Sequence, residues 1–145
     1  MIIRKGTLED LKKVKHLVAS FFNESVGKYG FECNDESLLV LMRTLQPNSF
    51  VIEKDNKVIG VIAGSIETAM ATNDKMFHEI IWYVDKIHRR YGIKLLRHCE
   101  KYYKENGIKF IIMCNMGNLN DEKLERFYTK MGYNLFEKQY IKELC

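Results

Sequence analysis

Residues 77–106 constrain the fold more tightly than any other stretch of this chain. An apolar run, FHEIIWYV, is followed by VDKIHRRYGIKLL and then by LLRHCEKYYKEN. The first segment is rich in β-branched and aromatic residues and reads as a strand. The last repeats apolar residues at helical spacing. Between them lies a basic loop with one glycine, Gly92. A strand ending in a loop that opens a helix makes an anion site, because the first helical N–H groups lack partners and the helix dipole adds positive potential. Arg89, Arg90 and Lys94 add formal charge there. On physical grounds the segment suits a phosphate.

The charge distribution sharpens that reading. The chain of 145 residues carries +4. From 85 to 109 there are eight basic residues (Lys86, Arg89, Arg90, Lys94, Arg97, Lys101, Lys104, Lys109) against three acidic ones (Asp85, Glu100, Glu105), so the segment is +5 and the remainder −1. A local patch fits a small polyanion better than a long nucleic acid, which needs a broader footprint. With 46% hydrophobic and 29% charged residues the chain has the composition of a globular domain rather than a disordered one. No apolar run approaches the ~18 residues that span a bilayer, and the start, MIIRKGTLED, turns charged at once rather than reading as a secretion signal. Cys33, Cys99, Cys114 and Cys145 form no CxxC pair, and Cys99 and Cys114 fall on apolar faces. Reduced thiols, no metal and a cytoplasmic location are the expectations.

The rest of the chain supplies a sheet and helices around the central segment. Residues 1–5 read as a short strand. Thr7, with Asp10 three residues on, starts a helix, and Leu11, Val14, Leu17, Val18 and Phe21 give it one buried face. Residues 27–30 form a loop. Asn34 or Asp35 caps a second helix carrying Leu38, Leu39, Leu41, Met42 and Leu45, which ends at Pro47. Strands at 49–53 and 57–67 are joined by a tight hairpin turn at 54–56. Gly60 and Gly64 in the second of them mark a bulge or the close approach of another backbone. A polar loop leads to the strand at 77–84, and Gly107 closes the helix that follows the basic loop. Residues 109–114 are nearly all apolar, as in a strand buried on both faces. A helix at 121–131 stops at Gly132, and residues 133–144 read as a last strand or hairpin, an edge on which a homodimer could form. The order β-α-α-β-β-β-α-β-α-β makes one mixed α/β domain spanning residues 1–145.

That order, together with two local patterns, is similar to the GNAT superfamily of N-acetyltransferases. The family's acetyl-CoA loop runs V-x-P-x-x-R/Q-G-x-G-x-G/A. Val84 takes the valine position, Lys86 the proline, Arg89 the Arg/Gln, Arg90 the first glycine, Gly92 the second and Lys94 the final small residue. The family's later helix reads A-x-x-x-Y-x-K-x-G-F/Y, matched by Leu124, Tyr128, Lys130, Gly132 and Tyr133. Arg90 and Lys94 depart from the pattern, standing where small residues let backbone approach the pyrophosphate. The resemblance implies a central, mostly antiparallel sheet with a splayed parallel strand pair, flanked by about four helices. It implies acetyl-CoA as cosubstrate and an amine, on a small molecule or a protein, as acceptor.

Acetyl transfer from a thioester to an amine needs a held thioester, a neutral amine and a proton for the departing thiolate. By the resemblance, amides from Arg89, Arg90, Tyr91, Gly92, Ile93 and Lys94 bind the pyrophosphate, and Tyr83 and Val84 offer backbone bonds near the acetyl group. Asn120 caps the last helix or touches the CoA arm. An alkylamine of pKa about 10.4 loses roughly 4–5 kcal/mol in becoming neutral at pH 7, so a general base is wanted. Glu79 is the leading candidate, because a carboxylate in an apolar strand is unfavourable without a role or a partner. The alternative reading pairs it with a lysine at the strand end. His78 and Glu67 are the other candidate bases. Strict alternation puts Glu79 with Ile81 and Tyr83 on one face, and His78 on the other unless a bulge intervenes. Tyr128 matches the family's acid position, and its bland alternative is a core tyrosine. Glu24, Glu32, Asp35 and Glu36 suit a cationic acceptor but equally a solvated surface. The leading function is an acetyl-CoA-dependent N-acetyltransferase working by direct transfer in a ternary complex. A non-catalytic acyl-CoA-binding module is the alternative that Arg90 and Lys94 favour, and nucleic-acid binding has little support.

Overall fold

A computed structural model describes residues 1–115 and 121–145. The elements are β1 (Ile2–Lys5), α1 (Asp10–Ser25), α2 (Asp35–Leu45), β2 (Ser49–Lys54), β3 (Lys57–Thr68), β4 (Lys75–Val84), α3 (Gly92–Glu105), β5 (Phe110–Ile112) and α4 (Asp121–Lys130), with 3₁₀ turns at Gly27–Tyr29, Gln46–Asn48 and Lys86–Tyr91. One sheet runs in the order β1-β2-β3-β4-β5. It is antiparallel except for the parallel pair β4–β5.

Local chemistry sets most of these boundaries. Asp55 and Asn56 join β2 to β3 with φ of 51° and 60°, the left-handed pair of a tight two-residue hairpin. Asn34 caps α2 by accepting the Ser37 N–H at 2.9 Å. The Asp10 carboxylate, 3% exposed, reaches back to the Thr7 N–H at 2.8 Å and is held by Arg4 at 2.7 and 2.9 Å, so the start of α1 is tied to β1. Gly107 (φ 78°) and Gly132 (φ 89°) close α3 and α4 in the left-handed conformation.

Helices cover both faces of the sheet. On one, Val14, Leu17 and Val18 of α1 and Leu38, Met42 and Leu45 of α2 pack on Val51, Val61, Ala63, Ile81 and Tyr83. On the other, Leu95, Leu96, Cys99 and Tyr103 of α3 pack on Phe50, Ile52, Ile62, Phe77 and Val84, with Phe127 and Met131 of α4 alongside. Each fully buried Leu or Ile here contributes about 1.5–3 kcal/mol.

Four expectations are corrected. The helix after the basic segment begins at Gly92, not Leu95, and most of the loop before it is a 3₁₀ turn. The strand at 109–114 shrinks to β5, paired only with β4, and Phe110 is half exposed. Among the described residues it has no second strand beside it. Residues 133–145 carry neither strand nor hairpin, so the expected dimer edge is not there, and 134–145 are exposed. The pairs Leu135–Phe136 and Tyr140–Ile141 would put one apolar residue on each side of a strand, so neither face gathers a continuous apolar row. Finally, β4 does not alternate strictly. The register slips at Gly64↔Glu79 and Ala63↔Ile81, leaving Ile80 as a bulge. Ile81 and Tyr83 therefore face α1 and α2, whereas Glu79 shares the α3 side with Phe77.

Candidate active site

The bulge and the parting of β4 from β5 together make a cleft. Gly64 permits the bulge: a Cβ there would lie 2.1 Å from the His78 carbonyl oxygen, a distance no side chain tolerates. The parallel ladder holds for three pairs, Met76↔Phe110, Phe77↔Ile111 and His78↔Ile112, while β4 continues six residues further to Val84. The strands splay from that point. A cleft of about 380 Å³ opens there, with Trp82 and Val84 on the β4 side, Phe21 and Glu24 from α1, and Leu124 and Phe127 from α4. Ile80, on its rim, has no Cα partner in β3 or β5.

At the narrow end the Glu79 carboxylate, 3% exposed, accepts the Cys114 N–H at 2.9 Å. It stands in for the ladder bond lost where the strands part. Burial pushes this carboxyl up to about 7, the Cys114 hydrogen bonds offsetting part of the effect. The Tyr128 hydroxyl donates to the Cys114 carbonyl at 3.2 Å, so one residue is held by Glu79 at its N–H and by Tyr128 at its C=O. Burial, then the Glu79 charge, raise the Tyr128 phenol well above its ordinary range.

At the wide end Glu24 collects donors. Its carboxylate accepts the Tyr83 hydroxyl at 2.9 Å, Arg89 at 3.2 Å and Lys86 at 3.4 Å. Burial works to raise this carboxyl, but Tyr83, Lys86 and Arg89 outweigh it and hold the group below the usual range. Arg89 also donates to the Val84 carbonyl at 3.4 Å. The start of α3 faces the cleft through Gly92 and Ile93. The Gly92 amide already donates to the Arg89 carbonyl. In the floor, Trp82 Nε1 is buried with no hydrogen-bond partner among the described residues.

Of the residues singled out in the sequence, Glu79, Tyr83, Val84, Arg89, Gly92 and Ile93 line the cleft. Tyr128 sits behind its wall, 9% exposed. Arg90, Tyr91 and Lys94 gather outside it: Arg90 donates to the Tyr91 hydroxyl at 3.0 Å, and the Lys94 ammonium lies 5.9 Å from the Tyr91 ring. The Lys94 side chain thus points to solvent. Asn120 lies outside the described residues. His78 and Glu67, the other candidate bases, pair with each other at 3.3 Å across the adjoining strands, on the face of β4 opposite Glu79. Sequence reasoning did not place Trp82, Phe127 or Cys114 in the cleft. The apolar spacing of α4 carried a signal for Phe127, and the distance of Cys114 from the strand end carried none.

Comparison with known proteins gives a consistent result. The model of the Acetyltransferase (GNAT) family matches residues 11–133. Among solved structures, a probable acetyltransferase superposes with a TM-score of 0.77 at 17% identity, covering 100% of this chain and 99% of that one. An aminoglycoside acetyltransferase from an uncultured soil metagenomic sample gives 0.71 at 14%, covering 99% and 98%. A ribosomal-protein-alanine N-acetyltransferase from Brucella melitensis gives 0.70 at 14%, covering 99% and 100%. At these identities the likeness is one of fold. No curated protein sequence matches the chain at a significant level.

Proposed function

Because this chain belongs to the Acetyltransferase (GNAT) family, we propose that it is an acetyl-CoA-dependent N-acetyltransferase acting as one domain in the cytoplasm. It moves the acetyl group directly from the CoA thioester to an amine in a ternary complex. The observation that carries this reading is the splayed cleft with a carboxyl held near 7 at its narrow end and Arg89 beside the α3 N-terminus at its wide end.

The residues divide the work by position. Arg89 and the N–H groups of Ile93 and Lys94 in the first turn of α3 hold the pyrophosphate, since helix N-termini suit anions. With its side chain turned to solvent, Lys94 leaves its amide clear. The backbone of Tyr83 and Val84 borders the pantetheine path, and the indole N–H of Trp82 supplies a further donor in its floor. The thioester carbonyl meets β4 at the bulge, where Ile80 is out of the ladder. Glu79 draws the proton from the incoming ammonium, directly or through water. A base near 7 is matched to that task at neutral pH, and such assistance gives about 10²–10⁴-fold in rate. Tyr128 serves the departing thiolate as a hydrogen-bond donor once its hydroxyl turns from the Cys114 carbonyl it now engages, and burial, which raises the phenol, makes it a donor rather than a strong acid.

Calorimetry with acetyl-CoA, followed by a thiol-release screen over amine classes with mass spectrometry of the product, tests the reading. Micromolar protein that binds no acetyl-CoA refutes it. Tight binding with no thiol release across the panel would make the chain a non-catalytic acyl-CoA-binding module. Among the proteins sharing the fold are an aminoglycoside acetyltransferase and a ribosomal-protein-alanine N-acetyltransferase, so the screen must span small-molecule and peptide amines.

A further inference from the structure

A second set of reactive groups reaches the narrow end of the cleft through Cys114, the one member of the set that lines it. Cys114 Sγ lies 3.7 Å from His78 Nε2. The other ring nitrogen, Nδ1, is 3.3 Å from both carboxylate oxygens of Glu67. Glu67 in turn accepts the Ser65 hydroxyl at 2.8 Å, which with His78 keeps its carboxyl below the usual range despite some burial. Thiol, imidazole and carboxylate thus stand in a row, with the carboxylate itself anchored. A carboxylate on Nδ1 fixes the tautomer that leaves Nε2 free to accept a proton. A nucleophile, its base and a group that orients the base form the arrangement that activates a thiol. Three neighbouring strands position the set: Ser65 and Glu67 on β3, His78 opposite Ser65 on β4, and Cys114 two residues past β5.

We propose that Cys114 is itself an acyl acceptor, taking an acetyl group from the acetyl-CoA bound in the cleft with His78 as base and Glu67 as its positioning residue. The inference rests on the acetyl-CoA reading above. His78 Nε2 removes the thiol proton, Sγ bonds to the acetyl carbonyl carbon, the carbon–sulfur bond to CoA breaks, and the CoA thiolate takes the proton from the imidazolium. One thioester replaces another, so no oxidant or energy source is required and the ratio of acetyl-CoA to free CoA sets the extent. Cys114 lines the cleft and is partly accessible. Its thiol now donates to the Glu79 carbonyl at 3.3 Å, and rotation about the Cβ–Sγ bond turns the hydrogen toward His78. Burial and the Glu79 charge push the thiol up to about 12, so a thiolate forms only as the proton passes to the imidazole. That dependence separates Cys114, with His78 Nε2 beside it, from Cys33 and Cys145, which are exposed to solvent.

The test is incubation of the full chain with acetyl-CoA and no amine, followed by peptide mapping and, in parallel, calorimetry of acetyl-CoA binding. The expected result is one acetyl group on Cys114, removed by neutral hydroxylamine and by excess free CoA. His78→Gln and Glu67→Gln should slow its appearance, the former by about 10²-fold or more, with the half-saturating acetyl-CoA concentration unchanged. Binding of acetyl-CoA with Cys114 left unmodified overturns the proposal while leaving the N-acetyltransferase reading standing. Equal labelling of Cys114 in His78→Gln also overturns it. Absence of acetyl-CoA binding overturns both.

Discussion

Replacing Glu79 with glutamine separates what this carboxyl does for catalysis from what it does to stability. The group is 3% exposed and is held at about 7 instead of 4.5, chiefly by burial. A carboxyl raised in this way is penalised where it is ionised. Below pH 4.5 it is neutral in folded and unfolded chains alike and takes nothing from stability. As pH climbs from there toward 7 the unfolded chain gives up its proton first and stability falls. Above about 7 the loss levels off at roughly 3 kcal/mol. Glutamine is close to isosteric and neutral throughout, so the variant escapes this loss while its amide oxygen can still accept the Cys114 N–H. Whatever that weakened hydrogen bond costs, it costs it at both ends of the range. The stability of Glu79→Gln relative to the parent should therefore improve by about 2–3 kcal/mol between pH 5 and pH 8. Urea unfolding at the two pH values measures this, and turnover should fall about 10²–10⁴-fold in the same protein. Parallel stability–pH curves for variant and parent would refute the buried-carboxyl argument. An unchanged rate–pH profile would remove Glu79 as the base.

Three other perturbations bear on neighbouring parts. Gly64→Ala places a methyl where the His78 carbonyl oxygen already lies, and unfolding experiments should record a loss of about 3 kcal/mol or more. The chain has one tryptophan, Trp82, and it lines the cleft. Its emission should change on titration with acetyl-CoA, and a flat signal at saturation would place the ligand elsewhere. Glu24→Gln frees Arg89 and Lys86 from a partly exposed carboxylate. Acetyl-CoA binding by calorimetry should tighten up to about fivefold, the size of an exposed ion pair, and the gain should shrink at high salt.

The sequence made the frame legible where local chemistry decides it. Asp55–Asn56, Asn34, Gly107 and Gly132 act through their own backbone preferences, and each sits at an element boundary close to where those preferences put it. The helical faces of α1 and α2 were legible for the same reason, since apolar spacing survives without knowledge of neighbours. The site was legible only in part. Arg89 and Gly92 announced an anion loop, but the outward turn of Lys94 depends on Tyr91 offering its ring, a three-dimensional fact. The Glu24 hub joins residues 59 to 65 positions apart, beyond any local pattern. The face of Glu79 was misjudged because alternation counts residues and a bulge adds one. Gly64, flagged as a bulge or close approach, was the clue, yet it lies on the neighbouring strand. The tail at 133–145 misled by its aromatic content, which lacks the period that a strand needs.

The bulge at Ile80 also has a consequence for how this chain can vary. Upstream of it, β4 feeds the α3 side through Phe77 and Glu79; downstream, Ile81 and Tyr83 feed the α1–α2 side. The orientation of the carboxyl relative to the second core is therefore fixed by the number of residues between them, not by their identities. A substitution at Ile80 is mild by this logic, whereas deletion of the same residue would rotate everything on one side of it by half a turn. Descendants of this sequence can vary at Ile80, which belongs to neither ladder, but insertions and deletions along β4 are closed to them.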